Sequence, residues 1–255
     1  NMSSAAVEPV STVSQFQDGG SSNSNNHQSI SDADQLVIDS IYNYWFGENV
    51  DTWSESYPLP TQLWFETRLD TDRQIKENFE KYLNEAVESY LEKDASGGMY
   101  QRWKSNIHGK LTLIILFDQF SRNIYRGTAR MFAYDHLALE LALEIISEHS
   151  TTLYSPPERL FIYFALLHSE NLLHTSNSIQ FIDDLVFSFK EGGDGEQGKR
   201  YEKIRRVSKV HHQIIKSFGR YPHRNNLLYR QSTKEEEEYL NREQHDFIQS
   251  VEKIK

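Results

Sequence analysis

Asp118, Arg122, His168 and His211 are polar residues standing where helical periodicity asks for apolar ones. Leu111, Ile115, Asp118 and Arg122 fall at i, i+4, i+7 and i+11, one face of a helix. In ERLFIYFALLHSE, Phe161, Phe164, Ala165 and His168 share a stripe, with Glu170 just beyond it. Further on, Ile204, Val207, His211, Ile214, Ile215 and Phe218 do the same. That last stripe leads into FGRYPHRN, which packs Arg220, His223, Arg224 and Asn225 into one turn. Imidazoles titrate near neutrality and move protons. Asp118 or Glu170 could orient one of them, and guanidinium forks suit a carboxylate or phosphate.

Each residue also has a plain structural role available. Asp118 and Arg122 make an intrahelical pair at i, i+4. A lone core histidine is commonly a satisfied donor. Gly219 reads as a helix C-cap, Pro222 stops the helix, and the arginines can bond helix-end carbonyls. His174 and His212 read as surface residues. These roles are not independent, because burying one unpartnered charge costs several kcal/mol. A chain that aims Asp118, Arg122, His168 and His211 inward must bring them together or line a wet cavity with them.

The elements that would carry them are all helical. Ser31 and Asp34 have capping-box spacing ahead of the stripe Ile38, Ile41, Tyr42 and Trp45, which ends at Gly47. Residues 70–91 place Ile75, Phe79, Tyr82, Ala86 and Tyr90 on one face. After Gly97 and Gly98, helices are expected over about 106–121 and 135–148. Ser155, Pro156 and Glu158 open another, and Ser176 is expected to cap a helix to about Phe189. Residues 190–199 read as a flexible loop, 199–217 as a long helix, and STKEEEE as the start of the last one. No alternating β-branched run appears, so an all-α fold of stacked antiparallel helical pairs is expected over residues 31–255. Residues 1–30 are rich in Ser, Asn, Gln and Gly without apolar period and read as a disordered tail.

Composition removes whole classes of function. None of the 255 residues is cysteine, which excludes disulfides, zinc knuckles, iron–sulfur clusters and thiol catalysis. A net charge of −10 argues against a sequence-independent nucleic-acid binder. The longest apolar run, LTLIILF, is far short of the roughly 20 residues a bilayer needs. No basic segment followed by an apolar one opens the chain. A soluble cytoplasmic protein without cofactor is expected.

The motifs IYNYWFG (41–47), LFDQFSRNIYRGTARMFAYDHLAL (116–139), RLFIYFALLHSENL (159–172) and FGRYPHRNNLLYRQST (218–233) occur in this order. Together they resemble the family of domains of unknown function numbered nine hundred and twenty-four, over about residues 35 to 245. The resemblance implies an all-helical domain similar to tetratricopeptide-type helical pairs, and no established activity. Its polar motif positions fall here on Asp118, Gln119, Arg122, Asn123, Arg126, His168, Ser169, Glu170, His211, Arg220, His223, Arg224 and Asn225. Two departures stand out: Ser121 replaces the proline of the usual DQFPRN, and HSENLLHTS lacks the acids that usually follow HSE.

Three functional readings follow. The first is a pocket for a small anionic ligand, with or without catalysis. In it His168, His211, Asp118 and Glu170 do proton chemistry, and Arg122, Asn123, Arg126, Arg220, His223, Arg224 and Asn225 bind. The expectation is that the FGRYPHRN donors form the pocket mouth. The second is a scaffold whose concave face clamps a peptide or a partner's terminal carboxylate. The third is a metal site from His168, Glu170, His211 and His223, disfavoured because no two ligands share a helix face at metal-binding spacing and arginines crowd the set. Beside all three stands a purely structural role for the motifs as locks at helix corners.

Overall fold

Ser31 caps α1 (Asp32–Phe46), its hydroxyl accepting from the Asp34 amide at 3.1 Å, and Gly47 closes the helix at φ 85°. The computed structural model describes residues 30–48, 50, 54, 59–92, 97–191 and 195–242. After α1 come α2 (Thr61–Phe65), α3 (Leu69–Leu91), α4 (Met99–Lys104) and α5 (Ile107–Ile114). A π-helical segment, Ile115–Phe120, joins α5 to α6 (Ser121–Ile124). Then follow α7 (Asp135–Ser147), α8 (Pro156–Leu167), α9 (Leu172–Glu191) and α10 (Glu196–Phe218), and residues 234–242 form α11. No strand occurs among the described residues. Of the stretch read as a disordered tail only Ile30 is described, and it packs against the core.

Several boundaries differ from expectation for local reasons. Helix α9 starts at Leu172, not after Ser176, because the Asn171 side chain accepts from the Leu173 and His174 amides. Ser176 lies inside α9 and donates back to the Leu172 carbonyl at 2.8 Å. Much of the loop expected over 190–199 is taken up by the end of α9 and the start of α10. The helix expected over 106–121 is interrupted by the π segment, where the Ser121 amide reaches back five residues to the Leu116 carbonyl. This wide turn falls where the related motif carries a proline, a residue that has no amide hydrogen to give.

Helix α5 is the centre of the packing. Every residue from Gly109 to Asp118 is buried, as suits a helix apolar on nearly all sides. It packs against α1, α4, α7 and α8, while α7, α8, α9 and α10 follow one another as neighbours. Gly109 permits the close approach to α4, because a Cβ there would lie 2.4 Å from the Trp103 carbonyl oxygen. One apolar cluster extends from Ile38 to Ile204. A smaller one, Ile214, Ile215 and Tyr221 with Phe218 and Tyr239, joins the end of α10 to α11.

Edge-to-face aromatics fix the short helix α2. Trp64 meets Phe161 at 4.9 Å between centroids and donates its indole hydrogen to the Trp45 carbonyl at 2.8 Å. Phe65 reaches Phe164 at 6.4 Å. A helix of five residues has no stability of its own, so α2 holds its place through these rings.

Candidate functional site

Asp118 leaves the π segment and His168 forms the C-cap of α8. Their side chains meet, Asp118 Oδ1 lying 2.7 Å from His168 Nδ1. Gln119 Nε2 donates to the other Asp118 oxygen. Arg122 donates to the Asp118 carbonyl and stands 3.0 Å from its carboxylate. Its fork then spans Asp135, at 2.9 and 3.0 Å. Burial alone would raise the Asp118 carboxyl, but the Arg122 charge and His168 hold it well below the usual carboxylate range. With the Asp118 carboxylate at Nδ1, His168 keeps Nε2 for other partners.

His211, in the middle of α10, is fixed differently. Its Nδ1 donates to the Val207 carbonyl one turn back at 3.0 Å, again leaving Nε2. Burial pushes the ring down to about 4, opposed by that hydrogen bond and reinforced by His168, Arg224 and Arg122. His211 is therefore neutral near pH 7, an acceptor at Nε2.

Both histidines open on a cleft of about 430 Å³. Thr61, Trp64 and Phe65 of α2 form one wall, and Phe164 and Leu167 of α8 continue it to His168. Gln119 and Arg122 lie beside His168. The opposite wall is one stripe of α10: Arg200, Lys203, Ile204, Val207, Ser208 and His211. No Asp or Glu lines the cleft among the described residues.

The remaining motif residues lie outside the cleft lining, most of them bonded within the chain. Asn123 and Arg126 bond Asp72 of α3, Arg126 through two nitrogens at 2.6 and 2.9 Å. Glu170 accepts from the Tyr221 amide at 2.8 Å and from the Arg230 fork. Burial would raise its carboxyl, but Arg230 and that amide hold it down. Arg220 grips Glu236 at 2.7 and 2.8 Å, and Asn225 Nδ2 donates to the same carboxylate.

Arg224 is buried between the rings of Phe132 and Tyr221, at 4.5 and 4.6 Å. It donates to Asp135 and to the His168 carbonyl, each at 3.0 Å. His223 is exposed, 5.4 Å from the Tyr221 ring. FGRYPHRN is thus a corner tied to α7, α8 and α11. It does not form the mouth of the cleft, and through Arg224 it supports His168 from behind. No group of three or more His, Asp or Glu side chains that could hold a metal occurs among the described residues. Nor is any described helix long and apolar enough to cross a membrane.

Sequence reasoning did not single out Trp64, Phe65, Phe164, Leu167, Arg200, Lys203 and Ser208 as site residues. Arg200, Lys203 and Ser208 were within reach, since the stripe holding Val207 and His211 extends back through them at helical spacing. Trp64 and Phe65 gave no periodic signal in a helix so short.

An all-helical chain with two histidines facing one cationic cleft is the class that fold and site define. Residues 41–244 match the family described as bacterial protein of unknown function, DUF924, and the chain belongs to that family. No curated protein matches it. Among solved structures it is similar to a protein of unknown function, ATU0120, from Agrobacterium tumefaciens. The two are 28% identical with a TM-score of 0.59, over 81% of this chain and 97% of that one.

Proposed function

We propose that this protein binds a small organic anion, a carboxylate or phosphate ester with an apolar body, in the cleft between α2, α8 and α10. The observation that carries this reading is the composition of the lining. Three cationic side chains, two imidazoles and an aromatic wall converge there with no Asp or Glu among the described lining residues, in a chain of net charge −10. His168, oriented by the buried Asp118, is placed to accept a proton from a bound ligand, and His211 to accept a hydrogen bond. Small-ligand binding of this kind suits the soluble cytoplasmic protein expected from the sequence.

A peptide-binding scaffold of tetratricopeptide type draws less support. Of the donors it would use in FGRYPHRN, Arg220, Arg224 and Asn225 hydrogen-bond within the chain, and α5 has neighbours on several sides where serial repeats have them only before and after.

The test is a calorimetric screen of short and medium-chain carboxylates and phosphate monoesters against the wild type and Val207→Trp, which fills the cleft from α10. The wild type should bind members of the panel at micromolar to millimolar levels, and the filled variant should bind none while remaining folded. A panel without ligands, or one that binds both proteins equally, sinks the proposal.

A further inference from the structure

The cations of the cleft are not equivalent. At the histidine end, Arg122 and Arg224 face Asp118 and Asp135, two guanidinium groups against two carboxylates, all within about 3 Å of a partner. His211 adds no charge near pH 7 because burial holds its ring neutral. At that end each guanidinium thus faces a carboxylate. At the other end, Arg200 makes no ion pair among the described residues, and Lys203 stands beside it on the same stripe. Elsewhere on α10, Arg205 pairs with Asp183 and Glu202, Arg206 with Glu202, Lys209 with Asp183 and Lys199 with Glu196, while Lys216 in the last turn does not line the cleft. Among the described residues, the cleft cation without an ion pair is therefore Arg200, at its α10 N-terminal end.

Between the two ends the stripe is Ile204, Val207 and Ser208, opposite the aromatic wall from α2 and α8. Arg200 and His211 are eleven positions apart, about 16 Å along a helix. A chain of about eight carbons spans roughly 10 Å. It leaves about 3 Å at each end for a hydrogen bond.

Building on the anion-binding reading above, we propose that the ligand is an elongated amphiphile lying along α10. Its anionic group meets Arg200 and Lys203, its apolar middle packs on Ile204, Val207 and Phe65, and a neutral hydroxyl or carbonyl at its far end reaches His168 and His211. The anion is thus held away from the imidazoles, and the group offered for proton exchange is the uncharged one.

The experiment is titration calorimetry with octanoate, its ω-hydroxy derivative and the corresponding diol, on the wild type, on Arg200→Gln/Lys203→Gln and on His211→Phe. In the wild type the hydroxy acid should bind about three- to tenfold more tightly than octanoate, the value of one added neutral hydrogen bond. It should also bind more tightly than the diol. The double variant should bring the hydroxy acid down to the affinity of the diol and abolish salt dependence. His211→Phe should remove the gain from the hydroxyl, so that the hydroxy acid and octanoate bind this variant alike. If octanoate binding survives the double variant and falls in His211→Phe, the orientation is reversed and this inference is wrong, although anion binding in the cleft stands. If octanoate and its hydroxy derivative fail to bind while phosphate esters bind, the inference alone is overturned. If nothing in the wider panel binds, both readings are lost.

Discussion

Asp118 and His168 are fifty residues apart in the chain, yet their side chains lie 2.7 Å apart, Oδ1 to Nδ1, beneath the cleft. The contact ties the π segment to the end of α8. It also fixes which edge of the imidazole the cleft receives. Because the same carboxylate compensates Arg122 at 3.0 Å, the pair carries structural and chemical roles together.

Asp118→Asn tests the structural share. The amide keeps the shape but leaves the buried Arg122 undercompensated, and breaking a buried pair costs about 3–5 kcal/mol. Urea unfolding at pH 7 should show a loss toward the lower figure, since Asp135 remains on Arg122. His168→Gln should cost much less. Equal losses would mean that the histidine contact, not the Arg122 charge, dominates.

Acid should reveal the depressed carboxyls. Asp34, hydrogen-bonded by Arg102, and Glu236, gripped by Arg220, are lowered to about 2, and Asp118 is also depressed. Such groups contribute stability fully present above the unfolded value of about 4 and lost as pH falls through the folded one. The melting temperature should drop steeply below about pH 4, with a shallower drop in Asp118→Asn. An unchanged slope in that variant counts against a depressed Asp118.

His211 shapes stability at milder pH. Its ring is lowered from 6.5 to about 4, so the unfolded chain takes up the proton first and stability falls as pH drops through that window. Glu158 opposes this: burial raises its carboxyl to about 7, and its contribution is lost as pH rises from its ordinary value toward that one. The wild-type profile mixes the two, so the variant is decisive. His211→Gln should remove a pH-dependent difference on the order of 2 kcal/mol. Parallel wild-type and variant profiles between pH 4 and 6.5 would show that the ring titrates normally.

These groups show what sequence could reveal. Ser31, Ser155 and Gly47 announce helix ends because caps act within one turn of chain, and the stripes through Ile38 and Ile75 follow from period alone. Inward placement of Asp118, His168 and His211 was legible for the same reason. The partners of the other motif residues were not. Arg220 finds Glu236 sixteen residues on, Arg126 finds Asp72 fifty-four residues back, and only the fold brings them together. The π turn was equally hidden, because it changes hydrogen-bond register without altering the apolar pattern.

Gly109→Ala probes the central helix. The added Cβ would meet the Trp103 carbonyl at 2.4 Å and its Cα at 3.0 Å, backbone atoms that cannot rotate away. The variant should lose about 1–3 kcal/mol or more as α4 and α5 separate. A neutral or stabilising result, as alanine gives at an open helical site, would show that the two helices are not in close approach.

The corner FGRYPHRN is tested by comparing its two arginines. Arg224 is planar, buried between Phe132 and Tyr221, and shared by Asp135 and the His168 carbonyl. Lysine keeps the charge but cannot stack or present two parallel donors. Arg224→Lys should therefore cost about 3 kcal/mol, the scale of a broken buried pair. It should also weaken ligand binding in the cleft, because the end of α8 that carries His168 loses its support. Arg220 is more exposed, and Glu236 keeps hydrogen bonds from Asn225 and the Thr233 amide when Arg220 is removed. Arg220→Ala should destabilise far less and leave binding unchanged, since Arg220 lies outside the cleft lining. Paired measurements of melting temperature and ligand affinity on the two variants separate the cases. If Arg220→Ala abolishes binding while the protein stays folded, the corner reaches the ligand after all and the division between lock and cleft is wrong.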